Sequence, residues 1–335
     1  MSLSTYNFIW KLLEFILPRY LEKRKNNGKE DIHRIHERYG ISKKNRPSGT
    51  LVWLHASSVG ESVAALALAN SMRKNGYGNK DNEYFLLTTN TLSAAKLIKD
   101  KIKKGLPAIH QYHPYDHPKF VSKFLNHWQP NLAVFLESDF WPNLIYLTTK
   151  TKIPTILASS QMSEKSARFW SGIGIFLAKK IFGNVNQVLA VDPKQADLFK
   201  RLGAKNIKSL TSLKSIAEKP IINQNYIHNI KKNLVKKKIL LAASTHPGEE
   251  ELMIKLANLL RQNAEDKILI IIAPRHIKRS LAIQNLVKSA GFDIKSRSKG
   301  EFPSKTDQFY LSDTMGEMGS LIEVADLVYV AGSMV

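Results

Sequence analysis

The chain has 335 residues, with 50 Lys and Arg against 28 Asp and Glu, a formal charge of +22. Hydrophobic residues make up 43% and charged residues 23%, globular proportions that exclude a disordered chain, and the length predicts two domains, each able to bury its own core. Zero cysteines exclude a disulfide framework, thiolate zinc, iron–sulfur clusters and a cysteine nucleophile. No apolar run reaches the roughly 18 residues that a membrane-spanning helix needs. The excess of base points to an anionic partner (a membrane surface, nucleic acid or a phosphorylated substrate), unless it is a Lys-rich compositional habit.

Near the N-terminus, Ile9, Leu12, Leu13, Ile16 and Tyr20 fall at helical spacing, interrupted by Lys11 and Glu14. Trp10 and Tyr20 flank this stripe, and Arg19, Lys23, Arg24 and Lys25 follow it. No basic region precedes it and no small-residue cleavage site follows, which argues against a signal peptide. Aromatic rings and base beside an apolar stripe predict an interfacial helix, so residues 1–40 are expected to form a membrane-associated segment. The alternative is an ordinary amphipathic helix packed on its own domain.

Beyond it, apolar runs at 51–54, 84–88, 132–136, 155–158 and 187–190 alternate with helical stretches, and a second series follows at 239–243, 268–273 and 327–330. Such runs predict parallel strands buried on both faces, in two Rossmann-like α/β domains, 41–210 and 211–335, facing a cleft. The polar stretch 218–238 begins the second of them. Ligands of open parallel sheets bind beyond the strand C-termini, so the loops there carry the candidate chemistry.

The first strand runs into His55-Ala56-Ser57-Ser58-Val59-Gly60-Glu61 and a helix over 62–72. Gly60 permits a tight turn, and Glu61 at a helix N-terminus is either a dipole-favoured acid or a carboxylate placed to accept a proton. A single glycine satisfies neither the dinucleotide fingerprint nor a phosphate-cradling loop. The 132–136 strand ends in Glu137-Ser138-Asp139; if the strand continues, these acids point to opposite faces and at most one meets the cleft. Trp141 reads as core. Ser244 or Thr245 is a candidate cap for a phosphate-binding helix, Arg275 a candidate phosphate clamp, and the loop 313–319 a candidate ribose contact. His110, His113, Asp116 and His117 crowd one segment, but Pro114 and Pro118 break the helix that would align them on a metal. The basic residues are dispersed with no aromatic stacking strip, which argues against nucleic acid.

The ordered set HASSVGE, LESDFWPNLI, SLK, ASTHPGEEE, PRH and DTMGEMG resembles the Kdo transferases, bacterial enzymes that add 3-deoxy-D-manno-octulosonic acid to the lipid A precursor. The resemblance runs from about residue 28 to 335. It implies a GT-B glycosyltransferase fold with the acceptor on the N-terminal domain and CMP-Kdo on the C-terminal one. It also implies attachment to the cytoplasmic face of the inner membrane, inversion of configuration, and neither metal nor cofactor. Residue by residue, it implies Glu61 as general base, Glu137 and Lys214 as transition-state stabilisers, and Pro274, Arg275, Met315, Gly316 and Glu317 as CMP contacts.

The pattern departs in three places. Thr211 stands where the family carries Gly before Ser-Leu-Lys214, and Asp139 stands for the more usual Glu. At 331–335 the chain stops short of the family's Gly-Gly-His-Asn loop, which predicts an incomplete second domain with apolar surface exposed around 328–330. The chain is therefore read as a Kdo transferase, with a catalytically impaired, membrane-associated remnant as the alternative. A nucleotide-sugar epimerase fits the fold but not the motifs.

Overall fold

In the computed structural model, which describes residues 1–77, 82–210, 222–232, 234, 237–262 and 267–332, the near-continuous apolar runs do form parallel strands. The chain divides into two units, Met1–Ala217 and Glu218–Val335. The expected boundary at 210/211 borders residues 211–221, outside the described residues.

The first unit holds β1 (Thr50–His55), β2 (Glu83–Thr89), β3 (Ala108–Tyr112), β4 (Leu132–Leu136), β5 (Thr155–Ser160), β6 (Gln187–Ala190) and β7 (Ile207–Ser209). They lie in the order β3-β2-β1-β4-β5-β6-β7. Successive β1 side chains serve opposite faces, Trp53 packing with Phe124 and Phe135, and Val52 and Leu54 with Ala64 and Phe85. The strand order reverses between β1 and β4, where His55 lies beside Phe135 in register. In open parallel sheets the strand C-termini at such a switch point are where ligands are held.

The stripe over 6–21 is not one helix. It forms α1 (Leu3–Glu14) and α2 (Leu17–Asn26), because Pro18 in the first turn of α2 lacks an N–H and crowds the residue before it. Leu3, Leu17 and Leu21 are buried, whereas Phe8, Leu12, Phe15 and Ile16 are exposed, Phe15 by 84%. Among the described residues no helix is long and apolar enough to cross a membrane. A 3-10 helix, Ile32–Tyr39, follows and ends at Gly40 with φ +73°. A Cβ there would overlap the Phe120 carbonyl oxygen. Gly40→Ala is therefore expected to destabilise the first unit by more than about 1 kcal/mol, read as a lower urea unfolding midpoint.

The remaining helices of this unit are α3 (Val59–Lys74), α4 (Leu92–Lys103), α5 (Pro118–Trp128), α6 (Pro142–Lys150), α7 (Glu164–Ser171), α8 (Ile175–Phe182) and α9 (Pro193–Arg201). The second unit holds α10 (Gln224–Lys232), β8 (Lys238–Thr245), α11 (Glu249–Gln262), β9 (Ile268–Pro274), α12 (Ser280–Ser289), β10 (Ile294–Ser296), β11 (Phe309–Leu311), α13 (Met318–Val324) and β12 (Leu327–Val330). Its parallel sheet has the order β10-β11-β9-β8-β12. On the edge strand β12, Leu327 and Val330 are exposed and Val328 and Tyr329 half-buried.

Candidate active site

At the end of β1, Ser58 caps α3 and Glu61 completes a capping box. The helix begins at Val59, so Gly60 lies inside its first turn rather than forming a turn before it, which corrects the expected start at 62. Glu61 Oε2 accepts the Ser57 N–H at 2.5 Å and the Ser58 N–H at 3.2 Å. The side chain is largely buried. Burial, then the negative charge of Asp139, push its carboxyl above the usual glutamate range, against the two backbone N–H groups and His55.

His55 is fully buried, with Nδ1 2.8 Å from Thr88 Oγ1 and Nε2 3.0 Å from Asp139 Oδ2. Trp53 Nε1 also donates to Thr88 Oγ1, at 2.8 Å. The arrangement that gives every group a partner sends the Thr88 hydroxyl proton to Nδ1 and the His55 Nε2–H to Asp139. Burial disfavours the Asp139 charge, but the His55 and Ser57 hydrogen bonds and the electrostatic effect of the His55 and His113 rings together outweigh it and hold this carboxyl well below its usual range. The Ser57 hydroxyl also reaches Asp139, so one serine touches both acids.

β4 stops at Leu136, and Glu137 takes φ +59°. The expected alternation of Glu137 and Asp139 across a continuing strand therefore does not occur. A left-handed non-glycine residue costs about 1–3 kcal/mol. Ser159 and Ser244, at the C-terminal ends of β5 and β8, share that conformation, as do Gln129 and Lys152 just after α5 and α6. Glu137 is buried, its N–H donating to the Ala158 carbonyl oxygen at 3.0 Å.

The histidine-rich segment has other employment. His110 Nδ1 accepts from Arg34 and its Nε2 meets Thr89 Oγ1, both at 2.9 Å, and His117 caps α5. Asp116 caps α6, its carboxylate accepting the Asn143 and Leu144 N–H groups at 2.9 and 2.7 Å and the Tyr6 hydroxyl at 2.9 Å. Burial pushes the Asp116 carboxyl up to about 7, against those three donors.

Of the residues expected to act together, Glu61 and Glu137 follow the neighbouring strands β1 and β4; Lys214 lies outside the described residues. In the second unit, Pro274, Arg275, Met315 and Gly316 do meet, lining a cavity of about 260 Å³ with Ser244 and Thr314. Glu317 turns to Arg297, whose Nε and Nη2 donate to Oε1 at 3.0 and 2.9 Å, and it also accepts the Thr314 hydroxyl. Arg297 is flanked by the Tyr226 and Phe302 rings, 4.7 and 5.3 Å away. Buried Asp313 accepts the Ser298 N–H and hydroxyl at 2.8 and 2.7 Å, fixing the segment that carries Arg297.

The expected phosphate-binding start of α11 is not realised through Ser244 or Thr245. The Thr245 hydroxyl donates to Glu250, and the helix's own Glu249 accepts the His246 and Gly332 N–H groups. Sequence reasoning missed His55 and Arg297 as site residues, and offered Asp313 only as part of the loop 313–319. His55 carried a signal, its place one position past an apolar run; Arg297 had none.

The model of the family described as 3-Deoxy-D-manno-octulosonic-acid transferase (kdotransferase) matches residues 33–217, over half of the chain and all of β1 to β7. The chain belongs to the Kdo transferase family. It is 34% identical over 306 residues to the 3-deoxy-D-manno-octulosonic acid transferase of Rickettsia bellii, covering 91% of this chain and 71% of that one. With the Rickettsia felis protein of the same name it shares 32% identity, over 85% of this chain and 59% of the relative. The chain thus spans between 59% and 71% of the length of these Kdo transferases. Among solved structures, the UDP-GlcNAc 2-epimerase of Neisseria meningitidis superposes with a TM-score of 0.55, over 83% of this chain and 76% of that chain, at 9% identity. A likeness at that identity is one of fold alone, while the sequence relatives are Kdo transferases.

Proposed function

We propose that the chain transfers Kdo from CMP-Kdo to the lipid A precursor, lipid IVA, with inversion. The observation that carries this reading is a buried Glu61, held at the start of α3 by the Ser57 and Ser58 N–H groups with Asp139 nearby, in the family-matched unit. Because Oε2 already accepts two N–H groups, Oε1 is the oxygen that takes the proton from the attacking sugar hydroxyl. Inversion needs one displacement: the hydroxyl oxygen bonds to the anomeric carbon as the bond to the CMP phosphate breaks. Glu137 opposes oxocarbenium-like positive charge, and Lys214 the negative charge leaving on the phosphate.

CMP is assigned to the cavity of Pro274, Arg275, Met315 and Gly316, with Glu317 at its margin. Arg297 pairs with Glu317 and orients it, so Arg297→Ala is expected to raise the KM for CMP-Kdo about tenfold or more, with kcat less affected. Association with the cytoplasmic face of the inner membrane is supported by the exposed Phe8, Leu12, Phe15 and Ile16 and the nearby Arg19 and Lys23. At the α7–α8 junction, Ile173 and Phe176, each 74% exposed, add apolar surface close to the chain start, where the N-terminal ammonium donates to the Ile173 carbonyl oxygen.

The test is to incubate the 335-residue chain with CMP-Kdo and lipid IVA and detect CMP and Kdo-lipid by mass spectrometry. Both products are expected. Their absence from a folded, CMP-binding preparation refutes the reading for this chain.

A further inference from the structure

The proposed transfer leaves one buried imidazole without a task. His55 is fully buried among the Trp53, Phe135 and His113 rings, whose centroids lie 6.3, 5.6 and 5.2 Å from its own, so it does not touch a substrate. Whatever it contributes passes through its hydrogen bonds.

Those bonds have a direction. Trp53 and His55 share one face of β1, and Thr88 is the register partner of His55 on β2. An indole N–H can only donate, so Thr88 Oγ1 accepts from Trp53 Nε1 at 2.8 Å. Among the described residues the Thr88 hydroxyl has one other partner, His55 Nδ1 at 2.8 Å. Its own proton therefore goes to Nδ1, which leaves the ring hydrogen on Nε2, facing Asp139 Oδ2 at 3.0 Å. Asp139 also accepts the Ser57 hydroxyl, and the Ser57 N–H donates to Glu61 Oε2 at 2.5 Å.

Trp53 and Thr88 are both fully buried, at places where apolar side chains of the same shape would leave no polar group to satisfy. A fully satisfied buried network rigidifies its members. This one ends on an acid that shares Ser57 with the candidate base, rather than inside the core.

We propose that Thr88 and His55 are positioning residues for the transfer: Trp53 commits the Thr88 proton to His55, and His55 then presents Nε2–H to Asp139, holding that acid where it fixes Ser57 and, through it, the Glu61 carboxylate. The proposal rests on Glu61 as the base.

The test uses two substitutions that remove different parts of the Thr88 side chain. Thr88→Val keeps the shape and loses the hydroxyl, whereas Thr88→Ser keeps the hydroxyl and loses a buried methyl group. Thr88→Val is expected to lower kcat for CMP release by about 10–100-fold, the usual cost of losing a group that orients a reacting one, with the KM for CMP-Kdo unchanged. Thr88→Ser is expected to keep most of the wild-type kcat. Urea unfolding shows that each preparation is folded when its rate is read. A residue that only packs gives the reverse order, with Ser the more impaired, and that result overturns the proposal.

A second measurement is independent of turnover. The imidazole nitrogen resonances of His55, assigned by their loss in His55→Gln, are expected to show Nε2 protonated and Nδ1 bare in the wild type. A proton on Nδ1 refutes the directed bonds whatever the activity. Thr88→Val at the wild-type kcat, beside an impaired Glu61→Gln, overturns this proposal alone. Full turnover by Glu61→Gln, or none by the wild type, overturns the reading on which it rests, and the proposal with it.

Discussion

Glu61→Gln is expected to lower kcat by about 10²–10⁴-fold, the usual contribution of a positioned general base, while leaving the fold intact. The fold survives because Gln serves the capping box as well as Glu: its amide oxygen still accepts the Ser57 and Ser58 N–H groups. The variant also loses a liability. A carboxyl raised in the folded state binds its proton more tightly there than in the unfolded chain, so the wild type loses stability as pH rises through and above the ordinary glutamate value of 4.5. Gln does not titrate, and its unfolding midpoint in mild alkali is expected to match or exceed that of the wild type.

The same shift predicts that the acid limb of kcat/KM lies above the ordinary glutamate range. Asp139→Asn removes the negative charge that helps to raise it and should move that limb toward lower pH. CMP release followed across the acid range checks both statements. Undiminished turnover by Glu61→Gln would sink the base assignment.

Arg38→Met is expected to cost the first unit about 3–5 kcal/mol, measured by urea unfolding. Arg38 is 1% exposed and pairs with the equally buried Glu30 at 2.9 Å. It also donates to the carbonyl oxygens of Asn90 and His113, at 2.6 and 3.3 Å, and lies over the Tyr112 ring. Met fills similar volume but donates nothing, so two carbonyls lose a donor and a buried carboxylate keeps only Arg24, 2.7 Å away at the surface side. A loss below about 1 kcal/mol would mean that Arg24 alone satisfies Glu30.

What was legible in the chain was whatever local pattern encodes. Leu132–Leu136 reads as a strand because every residue is apolar, and Glu61 reads as a helix-start acid because it follows Gly60 and precedes the Ala- and Leu-rich stretch 62–72. β3 was missed because its buried His110 and Gln111 look like surface residues; Arg34 and Thr89 satisfy the first, and the Trp128 indole N–H donates to Oε1 of the second at 2.6 Å. β7, β10 and β11, three residues each, are too short to carry a period. The pairing of His55 with Asp139 spans 84 positions and that of Arg297 with Glu317 spans 20, separations at which no spacing rule operates. The two-helix start was present in Pro18, whose missing N–H outweighs the apolar period around it.

The Asp116 carboxyl serves two masters. Tyr6 of α1 donates to the same oxygen that accepts the Asn143 N–H at the start of α6. In mechanical terms the two helices are coupled in series through one shared acceptor, with no slack between them. A displacement of Tyr6 would therefore alter the hydrogen bonding at the start of the helix that follows Glu137-Ser138-Asp139, without crossing the sheet.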